Sequence, residues 1–123
     1  MSASLASHRK FSEGYLLAAP LYSWYRDNYA GGALSGDDWR LSPLFADNFG
    51  FLPPAIVLYA GFDPLRDEAA AYITKLTQAN VPVESLYFAD MIHGFLTMAG
   101  VIPAAGAALH RLADAFAALD QDY

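Results

Sequence analysis

The stretch AIVLYAGFDPLRDEAAAYITKLTQANVPVESLYF, residues 55–88, decides the fold because its apolar pattern changes twice. AIVLYA (55–60) is a short continuous apolar run, which predicts a strand buried on both faces, as in a parallel sheet. VPVESLYF (81–88) also has a strand pattern, with Pro82 tolerable at its first position. Between them, DEAAAYITKLTQAN (67–80) has apolar residues at helical spacing, at Ala69, Tyr72, Ile73 and Leu76. Strand, helix, strand predicts a right-handed βαβ unit.

The flanking segments complete an α/β fold class. Pro103 opens a last predicted helix with one apolar stripe, formed by Ala105, Ala108, Leu109, Leu112, Phe116 and Leu119. Residues 15–29 predict a helix that starts near Pro20, and residues 30–54 show no sustained period. We therefore interpret residues 1–54 as a helix plus a long loop, and residues 55–123 as a βαβα unit with a short parallel sheet and covering helices.

Composition narrows the class of protein. The chain has 123 residues, 55% of them apolar and 16% charged, which suits one globular domain. Thirteen acidic and seven basic residues give a net charge of −6 without a basic cluster, so nucleic acid is not an expected partner. No apolar run approaches the roughly 20 residues that span a membrane. The absence of cysteine is compatible with a reducing compartment, and we predict a cytoplasmic protein.

Two residues follow the ends of the predicted strands. Asp63 comes after the first strand and His93 after the second, 30 residues later. Parallel neighbouring strands end at the same rim of a sheet, where ligands and catalytic groups gather. An aspartate that accepts the Nδ1 proton of a histidine leaves Nε2 free as a general base. The pair therefore predicts two members of a hydrolytic triad.

Structural roles are open for both residues. Asp63 followed by Pro64 also fits a helix N-cap with proline at the first helical position. His93 also fits a loop histidine that is bonded to a backbone carbonyl. Asp67 and Glu68 are better explained by the dipole of the helix they begin than by catalysis.

A family resemblance rests on both motifs in register. PPAIVLYAGFDPLRDEAAAYITKLTQANVPVESLYFADMIHGF (53–95) resembles the C-terminal part of α/β-hydrolase esterases of the hormone-sensitive lipase-like group, with their D-P-L-x-D and H-G-F motifs. SPLFADNFGFLPP (42–54) and GYLLAAPLYSWYRDNY (14–29) extend it over nearly the whole chain. The resemblance implies that Asp63 is the acid and His93 the base of a Ser-His-Asp triad acting on carboxylic esters.

The nucleophile of that family is missing from the sequence. The fold places a G-x-S-x-G elbow before the acid and the histidine, with oxyanion donors from an earlier glycine-rich loop, and neither motif is present. GALSG (32–36) has the wrong spacing and no preceding strand, so Ser35 is interpreted as a loop serine; Ser42 and Ser85 also have structural explanations. We therefore expect weak activity at most from this chain. Its origin, as a remnant of a longer enzyme or a short reading frame, stays open.

Further sites are few. Trp24, Tyr25 and Phe95 are candidates for lining an acyl pocket, or else core aromatics. The sequence predicts no cofactor and no metal site. The four aspartates Asp37, Asp38, Asp47 and Asp90 match no EF-hand spacing, and His8, His93 and His110 match no zinc spacing.

Three hypotheses follow. The chain is a portion of a serine carboxylesterase that binds a small ester, or a non-catalytic module that forms a homo-oligomer through its uncovered sheet edge. The third is complementation by a second polypeptide that supplies the serine.

Overall fold

The structure is a computed structural model that describes residues 5–121. Its elements are α1 (Ala6–Lys10), α2 (Ala19–Ala30), β1 (Ala55–Phe62), α3 (Arg66–Gln78), β2 (Val83–Ile92) and α4 (Pro103–Gln121), with 3-10 turns at Pro43–Phe45 and Phe95–Met98. β1 and β2 form a parallel two-stranded sheet. The predicted α/β class and the βαβα order are confirmed.

The strands run in register from Ala55 opposite Val83 to Ala60 opposite Phe88, and then the register shifts. Phe62 pairs with Ile92, so β2 has three residues where β1 has only Gly61. This bulge explains why β2 extends four residues beyond its predicted end at residue 88. It also places the carboxyl ends of both strands side by side.

Each face of the sheet has its own apolar cluster. Ala60 packs with Phe95 and with Ala105 and Ala108 of α4. Ala55 packs against a cluster formed by Phe49, Leu76 and Val81. Because alternate side chains of a strand point to opposite faces, α4 covers one face and α3 covers the other.

The segments before β1 agree less completely with the sequence pattern. α2 begins at Ala19 with Pro20 in its first turn, close to the predicted start. The short helix α1 was not predicted, and residues 31–54 consist of turns and the 3-10 turn at Pro43–Phe45. No helix within residues 5–121 is long and apolar enough to cross a membrane.

Gly61 is the position at which the bulge is most sensitive to substitution. A Cβ atom there would lie 1.9 Å from the carbonyl oxygen of Ala89, so Gly61→Ala would push the strands apart. We expect it to lower the free energy of unfolding by about 3 kcal/mol, measured by urea denaturation. Gly100→Ala is the matched control, because no atom lies within 4 Å of its added Cβ, and we expect a change below about 1 kcal/mol. Equal effects of the two substitutions would contradict this account.

Candidate active site

Asp63 lies in the turn between β1 and α3 and is 7% exposed. Its Oδ1 accepts a hydrogen bond of 2.8 Å from the backbone N–H of Leu65. This bond closes a local turn just before the helix. Asp63 is not the N-cap that the sequence suggested, because α3 begins at Arg66 with Leu65 at the N-cap position and no side-chain cap bond. The bond to Leu65 uses only one of the two carboxylate oxygens.

The other oxygen binds His93. The Nδ1–H of His93 donates a hydrogen bond of 2.9 Å to Asp63 Oδ2, so the structure brings the two predicted residues together. His93 directly follows β2, and Gly94 takes the left-handed conformation with φ 71°. Phe95 then enters the core, where it packs against Phe88. The H-G-F motif thus combines a histidine at the rim, a turn and a buried anchor.

The contact with Asp63 favours the protonated form of His93. The hydrogen bond from Nδ1 to the carboxylate raises the pKa of His93 above its ordinary value of 6.5, although partial burial of the ring opposes this shift. The same bond fixes the tautomer of the neutral ring, with the proton on Nδ1 and the lone pair on Nε2. Because the His93 side chain is 38% exposed, it can meet a substrate.

His93 lines a cavity of about 390 Å³ whose other walls are mainly aromatic and aliphatic. Tyr22, Tyr25 and Tyr29 come from one face of α2, at the helical spacing i, i+3, i+7. Burial and the nearby Glu68 carboxylate raise the pKa of Tyr22 to about 12, so its phenol stays protonated at neutral pH. The cavity can hold an apolar or aromatic group next to the imidazole.

The three predicted pocket residues have different positions. Tyr25 lines the cavity together with His93. Trp24 is 58% exposed and packs edge-on against Tyr25, with ring centroids 5.1 Å apart, but it is not among the lining residues. Phe95 is 2% exposed in the core and is not among them either. Sequence reasoning missed Tyr22 and Tyr29, although their spacing from Tyr25 was a usable signal.

The serines weighed as nucleophiles have other surroundings. Ser35 is exposed and its hydroxyl donates to Asp37, and Ser85 lies within β2. Ser42 is buried at the start of the 3-10 turn at Pro43–Phe45. Among residues 5–121, Asp63 is the hydrogen-bond partner of His93. Over the same residues, no group of three His, Asp or Glu side chains is arranged to hold a metal ion.

Comparison with known proteins identifies the family. The model of a family with the alpha/beta hydrolase fold matches residues 1–97. The chain belongs to the α/β-hydrolase family. It is 33% identical to the ethyl acetate hydrolase of Pseudomonas putida over 109 residues, which cover 89% of this chain and 34% of that protein. It is 38% identical to the carboxylic ester hydrolase LipN of Mycobacterium tuberculosis over 89 residues, covering 72% of this chain and 24% of LipN.

Solved hydrolase structures share the fold of this chain. An alpha/beta hydrolase enzyme from the metagenome of Lake Arreo matches with a TM-score of 0.79 at 39% identity, over 85% of this chain and 33% of that one. A thermostable esterase from Pseudomonas putida matches with a TM-score of 0.80 at 37% identity, over 89% and 36% of the two chains. The predicted resemblance to part of an α/β-hydrolase esterase is confirmed. The chain spans about a quarter to a third of the length of the two curated relatives described above.

The hydrogen bond between Asp63 and His93 can be tested by titration. We expect Asp63→Asn to lower the pKa of His93 below 6.5, because the carboxylate that raises it is removed while the burial that lowers it remains. The measurement is an NMR titration of the His93 ring, with the His110 resonance as internal reference. An unchanged His93 titration curve would contradict the pairing.

The same pair links protonation to stability. Because the pKa of His93 is raised in the folded protein, its contribution to the free energy of unfolding is fully present below about pH 6.5 and is lost as the pH rises through the raised value. Urea denaturation should therefore give a difference between the wild-type protein and Asp63→Asn that shrinks as the pH rises from 6 to 8.5. A difference that grows over this range would contradict the sign of the linkage.

Proposed function

We propose that Asp63 and His93 are the acid and base of a carboxylic ester hydrolase whose serine nucleophile lies outside these 123 residues. The observation that supports this most directly is the 2.9 Å hydrogen bond between His93 Nδ1 and Asp63 Oδ2, beside a cavity whose walls are mainly aromatic and aliphatic and also include Arg26 and Arg40. The esterase names of the relatives support the reaction class. Asp63 and His93 occupy the D-P-L-x-D and H-G-F motifs of this sequence.

In this proposal the two residues move one proton and stabilise one charge. His93 Nε2 takes the proton of the serine hydroxyl as its oxygen attacks the ester carbonyl, and the ring becomes an imidazolium stabilised by Asp63. The imidazolium then gives the proton to the leaving alcohol as the ester C–O bond breaks. In the second half of the reaction, His93 activates a water molecule that hydrolyses the acyl-serine. The cavity beside His93 would hold an apolar group of the ester, and Tyr25 is the predicted pocket residue that lines it.

Trp24 and Phe95 would act indirectly in this proposal, because neither lines the cavity beside His93. Trp24 would act by supporting the ring of Tyr25, against which it packs. Phe95, which is 2% exposed, would act by anchoring the turn that contains His93. A cytoplasmic location, predicted from the absence of cysteine, stays a prediction.

A chimera tests the proposed reaction. The part of the Pseudomonas putida ethyl acetate hydrolase that matches this chain is replaced by the corresponding residues of this chain, and kcat/KM is measured with ethyl acetate. We expect His93→Ala in the chimera to lower kcat/KM by roughly 10²–10⁴-fold, because general acid–base catalysis is lost. We also expect activity to rise with pH through the pKa of His93, since the neutral ring is the base.

The matched control for this experiment is His110→Ala. His110 is an exposed histidine of α4 that is bonded to the backbone of Gly106, so its removal should leave the rate unchanged. A folded chimera whose hydrolysis is the same with and without His93 would contradict the proposal. The chain alone is expected to be inactive or weakly active, since it would lack the nucleophile.

We propose as the second candidate a non-catalytic module that associates with a second copy of itself. The described sheet has two strands, so the outer edges of β1 and β2 are not paired with a further strand. Beside β1, Pro54 and Ile56 and the side chains of α4 line an open apolar cleft of about 630 Å³. Phe116 on α4 is 70% exposed at this cleft. A protruding ring beside an uncharged cleft is a self-complementary surface, which two-fold association requires.

Solution mass tests this second candidate. We expect the protein to form a dimer, and Phe116→Asp to shift it toward the monomer, because a charge would enter the apolar cleft. Light scattering during size-exclusion chromatography gives the mass. Phe51→Asp is the matched control, since Phe51 is 92% exposed and does not line this cleft. A wild-type monomer at all concentrations would exclude the second candidate.

A further inference from the structure

Ser7 of α1 is fully buried, although serine is a polar residue in a short surface helix. Its hydroxyl Oγ donates a hydrogen bond of 2.7 Å to the carbonyl oxygen of Pro64, 57 residues away. Pro64 directly follows Asp63 in the turn that holds the proposed catalytic acid. The hydroxyl of Ser7 therefore contacts this turn from α1, which lies outside the D-P-L-x-D and H-G-F motifs.

The carbonyl of Pro64 and the N–H of Leu65 belong to one peptide group. That group is planar and trans, so its C=O and N–H point in opposite directions and turn together. Ser7 binds the oxygen at one end, and at the other end the Leu65 N–H donates 2.8 Å to Asp63 Oδ1. Asp63 Oδ2 then accepts from His93 Nδ1. A continuous chain of contacts thus joins Ser7 to the imidazole.

A second set of bonds fixes Ser7 itself. Its backbone N–H donates 2.8 Å to Asp67 Oδ2, and its Oγ accepts 3.2 Å from the Asp67 backbone N–H. The Nε of Arg66 donates to the other carboxylate oxygen of Asp67. Although burial raises the pKa of Asp67, the hydrogen bonds from Ser7 and Arg66 hold it below its ordinary value. Asp67 is therefore an anion that anchors α1 to the first turn of α3.

We propose that Ser7 is a positioning residue, which orients Asp63 toward His93 by holding the peptide group between Pro64 and Leu65. The inference rests on the proposed role of Asp63 and His93 as acid and base. It assigns a function to α1, which neither motif of the sequence includes. Ser7 does not touch the imidazole and acts only through Pro64, Leu65 and Asp63.

Packing of α1 does not depend on Ser7 alone. Phe11, just after the helix, is 1% exposed, and its ring contacts Phe62 with centroids 5.8 Å apart. The guanidinium of Arg66 lies 5.3 Å from the centre of the same ring. Loss of the Ser7 hydroxyl should therefore release the peptide group without detaching the helix.

The test is an NMR titration of His93 in the 123-residue protein, which requires no esterase activity. We expect Ser7→Ala to lower the pKa of His93 by about half a unit or more, because Asp63 is held less firmly against Nδ1. The low-field Nδ1 proton signal should weaken as well. Ser7→Cys, with a similar volume and a weaker donor, should fall between the wild type and alanine. Ser12→Ala is the control, since the hydroxyl of the half-buried Ser12 donates 3.2 Å to the Arg9 carbonyl and has no hydrogen bond to the Asp63 turn within residues 5–121, and it should leave the His93 titration unchanged.

The outcomes separate the role of Ser7 from the role of the pair. A lowered melting temperature with an unchanged His93 titration in Ser7→Ala, while Asp63→Asn shifts it, would overturn the positioning role and leave the acid–base pair intact. An unchanged titration in Asp63→Asn would overturn the pair itself. If Ser7→Ala does not fold, Ser7→Cys decides, and a wild-type titration in that variant overturns the proposal.

Discussion

The parallel pairing of β1 with β2 is the interaction on which the candidate site depends. Asp63 and His93 are 30 residues apart and meet only because both strands end at the same rim. Their hydrogen bond, at 2.9 Å, tolerates a displacement of a few tenths of an ångström. The close approach of Gly61 to the Ala89 carbonyl sets the separation of the strands just before that rim. The geometry of the candidate site therefore depends on a backbone contact that contains no reactive group.

A buried carboxylate is stable only when its oxygens have donors, and Asp63 divides its two oxygens between two tasks. One oxygen holds the turn through Leu65, and the other holds the imidazole of His93. The turn-forming role of this residue and its proposed catalytic role are thus compatible, because they use different atoms. The local turn restricts rotation of the carboxylate, and this restriction gives the imidazole a defined orientation as well as a nearby charge.

Patterns with a short period were enough to predict most of the fold. The helical spacing in 67–80 predicts one helix and the apolar run at 55–60 predicts one strand. Both elements form at these positions, as α3 and β1. The end of β2 and the burial of Ser7 could not be predicted in this way. Both depend on contacts between distant segments, the bulge opposite Gly61 and the bond to Pro64. Tyr22 and Tyr29 stand at helical spacing from Tyr25 in the sequence, but the spacing alone does not show which face of the helix is used. Only the structure shows that this face lines the cavity beside His93.

The bulge in β2 has a consequence for how sequences of this kind can gain or lose residues. Three residues of β2 lie opposite the single residue Gly61, and alternate residues of a strand face opposite sides. Deleting one residue between Phe88 and Ile92 would move each following side chain of the strand, and that of His93, to the opposite face of the sheet. Residues 31–54 form turns, in which side chains do not alternate between two faces, so the loss of one residue there has no such effect. Among related sequences, insertions and deletions are therefore expected before β1, while the number of residues between Phe88 and His93 stays constant.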